Sequence, residues 1–242
     1  MKRLTYSLIL TSLLCLGSLQ AQNQNGYRFE ITEWLENSPA GNQVSKIEEY
    51  WGVLLLKGQA AMTRPGMQLE FRSSLGEILR LGDNTHFSLL HDRQVRLHKG
   101  EFLLYLPPSR GPFRIHGPNT MLELSQSGTL VVQATTNGGL KLVCLDGDLR
   151  LHVQGENADL EPGKLYFIPP GKSRLGKNLH INLSLFVKTT GLLQNFKPSL
   201  PSQKKIRRNA FRQSFNIKKQ TPLYVGDAKT AEDFDLLLVQ PE

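Results

Sequence analysis

Cysteine, long apolar runs and helical periodicity are all scarce in this chain. Only Cys15 and Cys144 occur in 242 residues. Cys15 lies in the leading segment, which leaves Cys144 alone and excludes a disulfide scaffold. The one long apolar stretch is at the extreme N-terminus, which argues against a polytopic membrane protein. The chain has no Gly-x-x-x-x-Gly-Lys-Ser/Thr phosphate loop, Asn178 following Gly171 to Lys177 where the hydroxyl residue would stand, and no Gly-x-Ser-x-Gly elbow, no Cys-x-x-Cys pair and no His-Glu-x-x-His run. Those absences remove the sequence signals for a phosphate cradle, a hydrolase nucleophile and the commonest zinc sites. What is present is ordinary for a globular protein. Hydrophobic residues make 39% and charged residues 21%, so collagen and wholesale disorder are disfavoured.

Residues 1–21 begin with Lys2 and Arg3, continue through a leucine-rich run from Leu8 to Leu19, and reach Ala21 before a polar stretch. That order predicts a secretory signal peptide cleaved after Ala21. Leu19 is large for its place before the cleavage point, which leaves an uncleaved membrane anchor as the alternative. Leu14 just before Cys15 argues against a lipoprotein. The formal charge of +8 is uneven. From Gln22 to Phe196 there are 18 basic and 16 acidic residues. From Lys197 to Gln220 there are eight basic residues and no acidic one, and from Thr221 to Glu242 five acids stand against Lys229. The basic character belongs to one segment, so the whole chain does not read as a nucleic-acid binder.

Between about Gly52 and Val187 apolar residues recur with period two in short runs separated by Gly, Pro, Asn and Asp. The pattern predicts strands over 53–58, 67–71, 78–81, 86–90, 94–98 and 101–106. A second series follows over 113–116, 121–124, 130–135, 140–145, 148–154, 164–168 and 180–187. Short strands at a spacing near ten residues indicate an all-β fold of stacked hairpins, solenoid-like or sandwich-like, rather than βαβ units. Asp146-Gly147 reads as a hairpin turn. Lys99-Gly100-Glu101 and Asp146-Gly147-Asp148 echo each other weakly, each a turn glycine and an acid before a strand. Residues 22–51 read as an N-terminal extension holding a strand from Tyr27 to Thr32 and a short helix from Gln43 to Tyr50. Residues 191–242 read as an irregular basic linker and tail that ends in a short apolar segment, Asp233 to Val239.

The chemistry-bearing residues have plain alternatives. The six histidines are His86, His91, His98, His116, His152 and His180, and their spacing favours strand-end and surface positions over a metal site. Ser74, Ser88, Ser125 and Ser127 lack a nucleophile context. Cys144, within Leu142-Val143-Cys144-Leu145, reads as a buried inert thiol. The acids Glu48, Glu49, Asp146 and Asp148 read as solvated turn residues. No cofactor, no metal and no enzymatic activity are expected.

The run Leu81-Gly82-Asp83-Asn84-Thr85-His86-Phe87-Ser88-Leu89 is followed by Arg96-Leu97-His98-Lys99-Gly100-Glu101-Phe102. Downstream stand Gly111-Pro112-Phe113-Arg114-Ile115, Gly128-Thr129-Leu130-Val131-Val132 and Leu160-Glu161-Pro162-Gly163. Together these resemble the periplasmic domain of the FecR family, bacterial regulators that carry outer-membrane transport signals across the envelope. The resemblance places an all-β domain over residues 52–190 and implies a role in sensing or protein contact. It departs from the family pattern at both ends. Only 51 residues, opening on an export signal, precede Gly52, where the family has an anti-sigma segment and a membrane helix. The residues after Gly191 do not suggest the family's small α/β module. The expectation is an exported stand-alone domain.

The function expected is therefore non-catalytic protein contact in cell-envelope signalling or organisation, in the periplasm or envelope of a bacterium. The partner expected is an envelope protein, with an anionic glycan or lipopolysaccharide as a further candidate, nucleic acid disfavoured, and membrane contact if the leader is uncleaved. Candidate contacts to an anionic partner are Lys204, Lys205, Arg207, Arg208 and Arg212, interleaved with Phe211 and Phe215. The alternative is a carbohydrate- or anionic-polymer-binding β module, for which Trp34, Tyr50, Trp51 and Tyr105 would have to form an exposed platform.

Overall fold

The computed structural model describes residues 26–37, 44–46, 51–108, 111–170, 175–176 and 178–217. The predicted leader, the terminal apolar segment, Gln43 and residues 47–50 lie outside the described residues. Strands dominate and form two sheets. Sheet A runs, in spatial order, β17 (Leu179–His180), β16 (Lys164–Ile168), β13 (Leu140–Gly147), β12 (Gly128–Ala134), β9 (Glu101–Leu106), β6 (Ile78–Leu81), β5 (Met67–Ser73), β1 (Phe29–Asn37) and β2 (Val44–Lys46). β3 (Leu54–Leu55) also pairs with β1. Sheet B runs β15 (Glu156–Asp159), β14 (Arg150–Val153), β11 (Met121–Ser125), β10 (Phe113–His116), β8 (Gln94–Lys99), β7 (His86–His91) and β4 (Ala60–Met62).

Successive hairpins alternate between the sheets. β5–β6, β12–β13 and β16–β17 belong to sheet A, while β7–β8, β10–β11 and β14–β15 belong to sheet B. The described pairings are antiparallel except β8 with β10, which is parallel. The result is an all-β, sandwich-like fold. Its core follows from the period-two pattern, because alternate side chains of each strand face the opposite sheet. Phe71, Leu79, Phe102, Leu104, Leu130, Val132, Leu142 and Cys144 of sheet A meet Phe87, Leu89, Leu97, Phe113, Ile115, Leu122, Leu124 and Leu151 of sheet B.

Sheet A is buried on its other face as well. Ile78, Leu103, Val131, Val143, Leu145 and Leu165 point outward from the sandwich and are covered by three helices: α1 (Leu183–Thr189), α2 (Gly191–Gln194) and α3 (Gln203–Ile217). The covering side chains include Leu183, Val187, Leu192, Leu193, Leu200, Ile206 and Ala210. The molecule is thus a β sandwich with a helical layer on one sheet.

The β fold begins at Phe29 rather than Gly52. β1 lies between β5 and β2 with Phe29 fully buried, so this part of the supposed extension is a sheet strand. Val44–Lys46 is a strand on β1, not part of a helix. The strand expected over 180–187 stops at His180, because Asn182 caps a helix, its Oδ1 accepting the Leu185 N–H at 3.0 Å. Residues 191–217 are not an irregular tail. A 15-residue helix over 203–217 holds its apolar face, Ile206 and Ala210, against sheet A.

Asp146-Gly147 is also not a hairpin turn. β13 pairs with β12 and β16, while β14 pairs with β11 and β15, so the chain changes sheets after Gly147. Gly147 has φ +104° and lies against Gly128 and the Ser127 carbonyl, where a Cβ would not fit. Gly100, with φ +85°, stands at the reverse change from sheet B to sheet A. The echo between these segments marks two sheet-switching corners.

Candidate functional site

The helical layer is tied to sheet A by polar contacts that fix its pose. Arg80, on the outer face of β6, is fully buried. Its Nε donates to Glu70 Oε2 at 2.8 Å, Nη1 donates to the Leu192 carbonyl at 2.9 Å, and Nη2 donates to the Pro198 carbonyl. The guanidinium also lies 4.6 Å from the centre of the Phe196 ring. One side chain therefore joins two strands, α2 and the segment leading to α3. Buried charge of this kind is tolerated where it is paired and its donors are used.

Three further contacts position α3. Ser202 and Thr129 hydroxyls lie 2.6 Å apart. Asn209 Nδ2 donates to the Leu145 carbonyl at 3.2 Å and to Asp146 Oδ1 at 3.0 Å. Gln213 donates to the Gly163 carbonyl and accepts the Leu183 N–H. Asp146 is a buried strand residue rather than the solvated turn residue expected; burial raises its carboxyl above the usual range, opposed by the Asn209 hydrogen bond and by the charges of Lys205 and Arg208. Ile206, Ala210, Asn209 and Gln213 occupy one side of the helix, and that side is spent on sheet A.

The opposite side faces solvent. At about 100° per residue, Phe211 and Phe215 project away from Ile206 and Ala210. They are 64% and 58% exposed, and their rings meet edge to face with centroids 4.8 Å apart. Around them stand Lys204, Lys205, Arg207, Arg208 and Arg212, all exposed. Among the described residues none of these five cations forms an ion pair with a carboxylate. The first turn of α3 has no acid and carries Lys204 and Lys205, placing positive charge against the positive end of the helix dipole. A helix selected only for stability would carry the reverse, so the face breaks a local rule where a contact would use it. The arrangement presents two aromatic rings ringed by cations on an anchored element, a surface suited to an acidic and apolar ligand. Sequence reasoning identified these residues, but read them as an extended tail.

The other candidates are dispersed. Trp34 is half-buried against the core between the sheets, Tyr105 packs against the helical side of sheet A, and Trp51 is 45% exposed. Tyr50 lies outside the described residues, and the other three form no common platform. Cys144 is buried with its thiol toward the Leu160 carbonyl, and burial pushes it up to about 12. His86 and His98 stack at 4.2 Å on the outer face of sheet B, and Ser88 Oγ lies 2.8 Å from His98 Nε2. Among the described residues no three His, Cys, Asp or Glu side chains converge as metal ligands. No helix among them is long and apolar enough to cross a membrane. A cleft of about 340 Å³ opens between α1 and sheet A, with Val131, Val143 and Leu165 among its apolar lining and Lys141, Glu101 and Gln133 as polar groups.

No family model matches the chain, and no curated protein matches it. Two crystal structures from Parabacteroides distasonis ATCC 8503, each described as a provisionally assigned anti-sigma factor, are similar to it. One, at 1.65 Å resolution, is 11% identical with a TM-score of 0.42 and covers 50% of this chain and 59% of its own. The chain thus spans little more than half of that protein. The other, at 2.50 Å, is 12% identical with a TM-score of 0.42 and covers 71% of this chain and 96% of its own.

Proposed function

We propose that this chain is a non-catalytic, exported β protein of FecR type, acting by protein contact in cell-envelope signalling or organisation. The contact is made by the outward face of α3. One observation carries the reading: Phe211 and Phe215 are held in solvent, flanked by cations, on a helix whose other side is fastened to sheet A. Exposed aromatic and arginine side chains are the residue types that dominate binding energy at protein interfaces. The lysines and arginines supply attraction and orientation, and the rings supply the desolvated centre.

The experiment is cross-linking of the protein in its native envelope, with mass spectrometry of the captured partners and of the N-terminus. The expected result is a mature N-terminus near Gln22 and an envelope protein whose capture falls about tenfold in the Phe211→Ala/Phe215→Ala variant. Capture unaffected by that variant, and by Ala at Lys204, Lys205, Arg207 and Arg208, would refute the surface. The row of cations supports a second reading, an anionic envelope polymer as ligand. Binding of that kind would weaken steeply with salt and be indifferent to loss of the two rings.

A further inference from the structure

The outer face of sheet B, on the far side of the sandwich from the helices, carries soft donor atoms that the contact at α3 leaves unused. Of the four methionines, Met1 opens the chain and Met67 is buried in the core. The other two, Met62 and Met121, are 67% and 45% exposed, although methionine is among the residues most often buried. Each stands directly across from a histidine: Met62 from His86 between β4 and β7, and Met121 from His116 between β10 and β11. Residues opposite each other in an antiparallel pair share one face, with Cβ atoms about 5 Å apart.

Beside Met62 a second imidazole joins the first. The register of β7 with β8 shifts between His86 and Phe87, so that two residues, His98 and Lys99, stand across from His86. A bulge of this kind re-aims side chains. The His98 ring stacks on that of His86 with centroids 4.2 Å apart, while Lys99 Nζ donates to Asn84 Oδ1 at 3.1 Å. Ser88 Oγ lies 2.8 Å from His98 Nε2. With Nε2 as the donor, Nδ1 keeps its lone pair, and a hydrogen bond at the other ring nitrogen is what fixes the tautomer of a metal-bound histidine. Three adjacent strands thus gather one thioether and two imidazoles. We propose that Met62, His86 and His98 form a binding site for copper(I).

The donor set decides the ion. Hard divalent cations need oxygen ligands, and among the described residues no carboxylate completes a group of three with these histidines. Glu123, an acid of the same face, is bonded to Arg114 at 2.9 Å. Arg96, opposite Ser88, places a positive charge that is felt at His98, and such a charge opposes a divalent ion more than a monovalent one. Thioether sulfur is a soft ligand that selects copper(I), and imidazole suits copper as well. Met121 and His116 offer the same two donors without the imidazole that the bulge supplies, and make the weaker place. Spacing along the chain hides the site, because strand pairing is what brings Met62 to His86.

The test is competition for copper(I) against bicinchoninate, without oxygen and with ascorbate as reductant. It uses the full chain carrying Cys15→Ser, so that no leader thiol competes. One equivalent of copper(I) is expected to pass to the protein. Met62→Leu and His98→Gln should each weaken binding at least about tenfold, while His152→Gln, elsewhere on the same face, should leave it unchanged. The 13C-labelled methyl resonance of Met62 should shift on loading and that of Met67 should not. No transfer, transfer indifferent to Met62→Leu, binding lost in Met121→Leu instead, or zinc(II) held as tightly as copper(I) each overturn the proposal. The outcome is independent of the α3 contact, which lies beyond the other sheet.

Discussion

Arg80 illustrates what a single side chain can do in this molecule. Among the described residues it alone links Glu70 of β5, the Leu192 carbonyl of α2 and the Pro198 carbonyl. Replacing it with Ala leaves the buried Glu70 carboxylate partly uncompensated, and should lower the unfolding free energy by about 3–5 kcal/mol in urea titration. A cost below about 1 kcal/mol would mean that the clamp is not formed. Gly147 is a second such point. Gly147→Ala should cost about 1–3 kcal/mol, because its φ of +104° and the approach of Gly128 both resist a Cβ. The histidines give a pH dependence. Burial, then His86 and Arg96, hold His98 below its usual value, and burial with Arg96 and Arg114 does the same for His116. A pKa lowered on folding means that the unfolded chain takes up protons first. Stability is therefore whole above about pH 6.5 and declines as pH falls through the lowered values. Thermal unfolding from pH 8 to 5 should show this decline, reduced in His98→Gln; an equal decline in that variant would assign it to other groups.

At the scale of elements, α3 divides its two faces between different tasks, and mutation should separate them. Ile206→Ala removes a fully buried anchor and should cost about 2–4 kcal/mol. Phe211→Ala/Phe215→Ala should change stability by no more than about 0.5 kcal/mol. Amide exchange in α3 should quicken in the first variant and stay unchanged in the second; a reversal would mean that the rings, not Ile206, fasten the helix. The helix was the part least legible in the sequence. Its docked face uses Ala210, Asn209 and Gln213 beside a single isoleucine, too little apolar content to stand out among seven exposed cations and rings. A signal was nevertheless present in the strands. Leu130-Val131-Val132, Phe102-Leu103-Leu104 and Leu142-Val143-Cys144-Leu145 are continuous apolar runs, the mark of strands buried on both faces. Such strands require a second covering layer. Arg80 was missed for the same reason, since in Ile78-Leu79-Arg80-Leu81 an arginine on the second face reads as solvent-exposed until that face is known to be covered.

Across the whole molecule, the strand ends at 78–81, 101–106, 113–116 and 164–168 agree with the sequence reading, and the alternate residues of sheet B, Phe87, Leu89, Val95, Leu97, Phe113 and Ile115, lie in the core. Which sheet each hairpin joins was not legible. Alternation fixes the face of a strand but not its neighbour, and Asp146-Gly147 has the residues of a hairpin while serving as a corner. The attachment of the helical layer has a mechanical consequence. Its ties to sheet A lie in series along the chain: Gln213 to Gly163, Asn209 to Asp146, Ser202 to Thr129, then Pro198 and Leu192 to Arg80. Tension applied at the C-terminus loads these ties one after another, as in opening a zipper, whereas the sheets share load across whole ladders. Pulled from that end, the molecule should shed its helices at low force and keep the sandwich intact, so that a tug on the tail strips one side of sheet A without unfolding the protein.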